Sequence, residues 1–346
     1  MNILFVNFVD KIAGGERYIA NVINSLPENI NIFLLTPNKN SQIEHLIERN
    51  IFKESLKFKR TFGPFPRLSL PLLFKTIKII KRDKIDIIHL NDHYLFPTFI
   101  IIKYLFGIKV IFTSHGKWDT YFLINRIFLK LLNPITIAST DIQYKRVDKN
   151  VEKVFLMPFF VKGVTSNVRK INKKIKLGIV GRFSPVKNFE LAFSIIDSLD
   201  KDIYELHIFG NRSVHLDEES NEYLTMILEE VSKRENIISH GVILDHNQLY
   251  KDIDILLLTS KTESFSLVSI EALSFAIPVV STPTEGSSTI IKDGFNGFVC
   301  KTKEEFTESI KIIVKNYKYF SQNSLLFCKN FNKEKYIEKL VKIYND

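Results

Sequence analysis

The stretch IDILLLTSKTESFSLVSIEALSFAIPVVS, residues 253–281, is where the fold of this chain becomes readable. Its opening, Ile253–Thr259, is nearly all apolar, as a strand covered on both faces of a parallel sheet must be. A polar loop follows, then a helical pattern over Leu267–Phe275, then a second apolar run, Pro278–Ser281. Strand, loop, helix and strand make one βαβ unit, and the same alternation extends outward in both directions. Toward the carboxyl terminus the helix Lys333–Tyr344 puts Tyr336, Ile337, Leu340, Val341 and Tyr344 on or near one side. Toward the amino terminus the expected strands are Ile175–Val180, Tyr204–Phe209 and Asn236–Ser239, with helices over Asn188–Leu199 and Leu216–Arg234. A polar, basic stretch, Lys162–Lys174, reads as a linker. Before it the pattern repeats: strands at Asn2–Phe8, Asn31–Thr36, Ile85–Leu90, Lys109–Ser114 and Ile135–Ser139, and helices at Gly15–Leu26, Ser41–Asn50 (capped by Ser41) and Leu68–Arg82. With 346 residues, at roughly 100–200 residues per domain, the expectation is two α/β domains in tandem, each built on a doubly wound parallel sheet, with a cleft between them.

Composition narrows the function. Cys300 and Cys328 make no metal-ligand spacing and no disulfide framework, and they read as ordinary half-buried thiols. The apolar start Met1–Val9 has no basic segment before it and reads as a first buried strand rather than a leader. The most apolar stretch, Tyr94–Phe112, is broken by Lys103, Gly107 and Lys109 and is not a membrane span. A cytoplasmic protein is expected. The formal charge is +10, and ten basic residues fall between Lys53 and Lys84: Lys53, Lys57, Lys59, Arg60, Arg67, Lys75, Lys78, Lys81, Arg82 and Lys84. Only Glu54 and Asp83 oppose them there, and Phe58, Phe62, Phe65 and Phe74 are interleaved. Region 53–84 therefore suggests peripheral docking on the anionic inner face of a membrane. No nucleic-acid-binding signature accompanies the charge, so nucleic acid is not an expected partner.

Three segments carry chemistry. In the first, Glu263 precedes the helix that opens after Ser266, and Glu271 lies eight residues on, about 12 Å along a helix axis. Free backbone N–H groups and the dipole at such a helix start attract phosphate, and flanking carboxylates can accept hydrogen bonds from sugar hydroxyls. Ser264 or Ser266 can cap the helix. In the second, Gly181-Arg182 ends a strand and Lys187 follows, placing two cations where open α/β sheets bind ligands. The third, Ala13-Gly14-Gly15-Glu16, follows the first strand without the G-x-G-x-x-G spacing, which disfavours a nicotinamide cofactor.

Together these segments resemble glycosyltransferase family 4 over nearly the whole chain, most specifically from Asp252 to Val299, where Asp293-Gly294-Phe-Asn296-Gly297-Phe298 also matches a recurring segment. The resemblance implies the GT-B fold, two Rossmann-like domains facing a central cleft. The implied division is 1–165 for the acceptor, with 331–346 packing back on it, and 166–330 for the nucleotide sugar. It implies a retaining hexosyl- or N-acetylhexosaminyltransferase acting on a lipid-linked or cell-surface glycan precursor, such as a lipopolysaccharide or capsule intermediate. It needs no cofactor and no metal. Glu263 would contact the transferred sugar, Glu271 the donor ribose, and Arg182 and Lys187 the diphosphate. Gly14, Gly15, Gly181, Ser264, Phe265, Ser266 and Leu267 would line the donor. Ser114-His115-Gly116 resembles the family's active-site histidine segment, and Asn91, Asp92 and His93 are acceptor-side candidates. The chain departs from the family pattern at Ala13, where a glycine is usual, and at Ser264 and Ser266, where glycines often follow the first glutamate. Two other readings are a nucleotide-sugar epimerase of the same fold and a non-catalytic nucleotide-sugar-binding protein.

Overall fold

A computed structural model of the chain describes residues 1–9, 12, 14–57, 65–161, 163, 167–210, 218–243 and 245–346. Ala13, Phe58, Lys59, Arg60, Phe62 and Lys162 lie outside the described residues, as does the expected helix start at 216. The chain forms two compact units, Met1–Phe159 with Lys333–Asp346, and Phe160–Asn332.

The first unit is a seven-stranded, wholly parallel sheet. Its strands are β1 (Asn2–Val6), β2 (Asn31–Thr36), β3 (Phe52–Ser55), β4 (Ile87–Leu90), β5 (Lys109–Ser114), β6 (Ile135–Ala138) and β7 (Val154–Leu156), in spatial order β3-β2-β1-β4-β5-β6-β7. Helices α1 (Gly14–Ser25), α2 (Leu70–Asp83), α3 (Phe96–Phe106), α4 (Trp118–Tyr121), α5 (Leu123–Leu132) and α6 (Asp141–Val147) connect them. Ile3, Leu4, Phe5 and Val6 of β1 are all buried, which is why the strand reads as an unbroken apolar run rather than an alternating one. In α1 the residues Tyr18, Ile19, Val22 and Ile23 turn to the core at helical spacing.

The second unit repeats the design with six parallel strands: β8 (Ile175–Val180), β9 (Tyr204–Phe209), β10 (Ile237–Gly241), β11 (Ile255–Leu258), β12 (Val279–Ser281) and β13 (Gly297–Val299), ordered β10-β9-β8-β11-β12-β13. Its helices are α7 (Phe189–Ile196), α8 (Glu218–Ser232), α9 (His246–Lys251), α10 (Leu267–Ser274), α11 (Glu285–Ile290), α12 (Lys303–Lys315) and α13 (Tyr317–Cys328). The last helix, α14 (Lys333–Asn345), belongs to the first unit. It buries Tyr336, Ile337, Leu340 and Tyr344 as expected, but Ile343 instead of Val341. Tyr336 OH meets Tyr18 OH at 2.6 Å, and Tyr344 OH meets His89 Nδ1 at 2.7 Å.

Several expectations need correction. The helix anticipated over Ser41–Asn50 is a short 3₁₀ turn, Gln42–Leu46, begun where Ser41 N donates to Glu44 Oε1 at 3.2 Å. The chain turns out of it into β3, which pairs in parallel with β2 at the sheet edge, with Phe52 stacked on Phe33 at 4.6 Å. The four-residue β3 and three-residue β7 and β13 are too short to show a period of their own and form because a neighbouring strand supplies the hydrogen bonds. Both cysteines are fully buried rather than half-buried, and burial pushes the Cys328 thiol up to about 12.

Candidate active site

In a doubly wound sheet, ligands bind beyond the carboxyl ends of the strands where the strand order reverses. In the second unit that point lies between β8 and β11. Gly181 and Arg182 leave the end of β8, and Thr259–Glu263 leave the end of β11. The loop between Arg182 and α7 is tied down by Thr259 Oγ1, which donates to Lys187 O at 2.8 Å, and by Lys261 N, which donates to Val186 O at 2.8 Å. Those bonds bring Lys187 Nζ within 2.5 Å of Glu263 Oε1, which also accepts from Ser260 Oγ at 2.9 Å. Both members of the ion pair are mostly buried, so losing either would leave a poorly solvated charge on the other. Arg182 is half-buried and has no hydrogen-bond or ion-pair partner among the described residues.

The helix that follows is anchored from the far side. Gly286 N donates to Glu263 O at 2.9 Å, and a Cβ at Gly286 would lie 2.9 Å from Ser266 N, so a side chain there would push the loop aside. Ser266 caps α10 by accepting from Ser269 N at 3.3 Å. The side chains of Phe265 and Leu267 are buried, with Phe265 edge-on to Phe331, so at these positions only the backbone can face a ligand. Glu271, half-buried on α10, receives a hydrogen bond from Tyr250 OH at 2.8 Å on Oε2, while His246 Nε2 lies 4.0 Å from Oε1. Sequence reasoning missed Ser260 and Tyr250. Ser260 stands three residues before Glu263, but nothing in the spacing marks Tyr250, which arrives from a different element, α9.

The first unit has its own reversal point, between β1 and β4. There Asn91 follows β4, His115 follows β5, and Gly15 opens α1. A Cβ at Gly15 would sit 3.5 Å from His115 Cε1 and 3.6 Å from Asn91 Nδ2, so the glycine lies directly against both. A directional chain fixes the imidazole. Asn7 Nδ2 donates to Val9 O (2.9 Å), Asn91 Nδ2 donates to Asn7 Oδ1 (2.7 Å), and Asn91 Oδ1 therefore faces His115 Nε2 as an acceptor. His115 must carry its proton on Nε2, leaving Nδ1 as an acceptor. Burial pushes its pKa down to about 4, against the pull of Asp119. Asp119 holds the loop: Oδ2 accepts from Ser114 Oγ (2.7 Å) and His115 N (3.0 Å), and Oδ1 lies 3.0 Å from His93 Nδ1. Burial alone would raise the Asp119 pKa, but His93 and Ser114 hold it below the usual carboxylate value. Asp92 turns to the backbone instead, accepting from Phe8 N at 2.8 Å. Asn7 and Asp119 were not anticipated; Asn7 lies just past the end of β1, the one signal that could have found it, while Asp119 sits in α4, five residues beyond β5. Glu16 is buried, and Gly14 begins α1 beside Gly15.

Residues 12–151 match the family model described as glycosyltransferase family 4, and residues 165–324 match that described as glycosyl transferases group 1. The chain belongs to glycosyltransferase family 4. This glycosyltransferase is 28% identical to a 41.2 kDa protein of the Klebsiella pneumoniae cps region, over 99% of both chains. It is 23% identical to the O-antigen biosynthesis glycosyltransferase WbnH of Escherichia coli, over 97% of this chain and 96% of WbnH. Its fold is GT-B and matches HepE of Anabaena, crystallised in complex with UDP, with a TM-score of 0.82 at 16% identity over the whole of both chains. No helix among the described residues is long and apolar enough to cross a membrane, and no group of three or more His, Cys, Asp or Glu among them could hold a metal ion.

Proposed function

We propose that this glycosyltransferase moves a hexose or N-acetylhexosamine from a nucleoside diphosphate sugar to a lipid-linked or cell-surface glycan precursor, with retention of anomeric configuration. The observation that carries the reading is the group at the β8–β11 reversal: Arg182, without a partner among the described residues, leaves the end of β8 on the same loop as Lys187, which is held against Glu263 just before α10. Two cations and a helix amino terminus suit a diphosphate, whose charge grows as the sugar leaves. Glu263 Oε1 is occupied by Lys187 and Ser260, which leaves Oε2 for a sugar hydroxyl. Glu271, steadied by Tyr250, offers Oε1 to the ribose. Gly181 and the backbone at Ser264–Leu267 complete the donor side. His115 is neutral at physiological pH, so the leaving-group charge falls to Arg182 and Lys187, while His115 Nδ1 accepts from a hydroxyl of the reacting sugar and Gly14 and Gly15 admit the donor beside it. No metal is called for in this scheme. Asn91 orients His115, and Asp92 and His93 flank the acceptor. The UDP held by HepE supports a nucleotide donor, and the O-antigen and cps-region relatives support a surface glycan as the destination.

The test is a donor panel. Nucleotide sugars are incubated with the protein and an alkyl glycoside as surrogate acceptor, following nucleoside diphosphate release and product anomeric configuration by NMR. One donor should be consumed, with retention, and Glu271→Ala should weaken donor binding by about tenfold or more, as expected for losing a charged hydrogen-bond acceptor. A donor altered without an acceptor would favour an epimerase. Binding without transfer to any acceptor would favour a binding protein, and no binding of any donor would end the proposal.

A further inference from the structure

Large apolar side chains should not stand together in water unless something covers them. The first unit displays such a group on α5. Its sequence, Leu-Ile-Asn-Arg-Ile-Phe-Leu-Lys-Leu-Leu, buries Asn125, Leu129 and Leu132, the two leucines in the core of the unit. The opposite face is also apolar: Leu123, Ile127 and Leu131, at the four-residue spacing that aligns them on one stripe, are 71%, 43% and 49% exposed. Arg126 and Lys130, both exposed, fall on the same side of the helix. The stripe continues at both ends. Before α5, Trp118 and Tyr121 are both exposed with ring centroids 5.3 Å apart, and Lys117 Nζ lies 5.4 Å from the Trp118 ring centre. At its far end Tyr104, exposed on α3, reaches Leu131 O with its hydroxyl at 3.5 Å.

Charge decides between the occupants. Helices α3, α4 and α5 contain one carboxylate, Asp119, and it is buried. From another element, Glu152 acts on Lys103, whose Nζ donates to Leu132 O and Asn133 O at the carboxyl end of α5. A second copy of this chain docked face to face would press Lys117, Arg126 and Lys130 against their own images. An anionic bilayer satisfies both features, because aromatic and aliphatic side chains enter the acyl boundary while lysines and arginines meet headgroup phosphates. Region 53–84 is weaker as a docking face: Lys75 and Arg82 both pair with Glu54, Arg82 also with Asp83, and Lys53 with Glu44.

We infer that the α4–α5 face, continued by Tyr104, is a docking surface for an anionic lipid bilayer. The inference stands independently of the donor chemistry. Trp118 is the single tryptophan of the chain, so its fluorescence reads the surface directly. The full-length protein is titrated with phosphatidylcholine vesicles with and without phosphatidylglycerol, and binding is read by Trp118 emission and by co-sedimentation. The expected result is a blue shift and sedimentation with phosphatidylglycerol vesicles only. The triple variant Leu123→Gln/Ile127→Gln/Leu131→Gln should lower the partition constant by about tenfold or more, with far-UV circular dichroism and urea midpoint unchanged. A Lys78→Ser/Lys81→Ser/Lys84→Ser variant should bind as the wild type does. Equal binding by the α5 variant, loss confined to the α2 variant, or binding unaffected by phosphatidylglycerol would each overturn the inference. So would a wild-type dimer that the α5 variant converts to a monomer, which would assign the face to a second copy.

Discussion

Acidification should destabilise the first unit through His89, and the size of the effect can be worked out. His89 is fully buried between Thr113 Oγ1, 2.8 Å from Nε2, and Tyr344 OH, 2.7 Å from Nδ1. Burial, helped by nearby His115, pushes its pKa from 6.5 down to about 3. The unfolded chain therefore takes up a proton in a range where the folded unit does not, so stability is full above the unfolded pKa and falls as pH drops below it. At about 1.36 kcal/mol per pH unit, the loss between pH ~7 and pH ~5 is about 2 kcal/mol from His89 alone. His115, held down to about 4 chiefly by burial, adds to it in the same direction. The lowered Asp119 does not contribute, because its stabilising charge is lost only below the usual carboxylate range. Urea unfolding followed by Trp118 fluorescence reports this unit, and with a slope of roughly 2 kcal/mol per molar the His89 share is a midpoint shift of about 1 M. His89→Gln, which can still bond Thr113 and Tyr344, should lower stability at neutral pH but remove that share of the pH dependence. If the wild type and His89→Gln lost equal midpoint on acidification, the reasoning would be refuted.

Two further outcomes concern the second unit. Tyr250→Phe removes one hydrogen bond to Glu271 and leaves the stacking on Phe275, at 5.1 Å, in place. On the proposed donor role, affinity measured by calorimetry should fall about fivefold to tenfold, roughly 1–1.4 kcal/mol, with the melting temperature shifting little; an unchanged affinity would remove Glu271 from the donor site. Gly286→Ala places a methyl 2.9 Å from Ser266 N and 3.2 Å from Phe265 Cα, both backbone atoms that cannot swing away. Overpacking of this kind should cost about 1–3 kcal/mol in urea unfolding, together with donor affinity, while Ala at Gly15, where contacts are 3.5 Å and longer, should leave stability within about 0.5 kcal/mol.

The limits of sequence reading show at particular residues. That Gly181, Arg182 and Glu263 stand at the carboxyl ends of strands was legible, because each follows its strand by five residues or fewer, whereas the place of Lys187 depends on bonds from Thr259 and Lys261 in the loop after β11. Asn7, Asn91 and His115 form one polarity chain drawn from three strands, and only His115 and Asn91 stood out beforehand. The pairing of surface charges was out of reach for a related reason. Counting charges along 53–84 could not show that Glu44 and Glu54 fold back onto them, nor that the apolar residues of α5 lie on two opposite faces.

What the sequence by itself determined was the alternation of apolar runs and amphipathic stretches, and with it two parallel sheets, their central strands and the loops at their carboxyl ends. Those features depend on periodicity and on backbone geometry over a dozen residues, which any local stretch carries within it. What only the tertiary structure decided was partnership: Tyr250 with Glu271, Lys187 with Glu263, Tyr336 with Tyr18, and water with Leu123 and Ile127. Partners come from elements tens or hundreds of residues apart, and the strand order that brings them together is a property of the assembled sheet, settled by burial of the whole core rather than by any one segment.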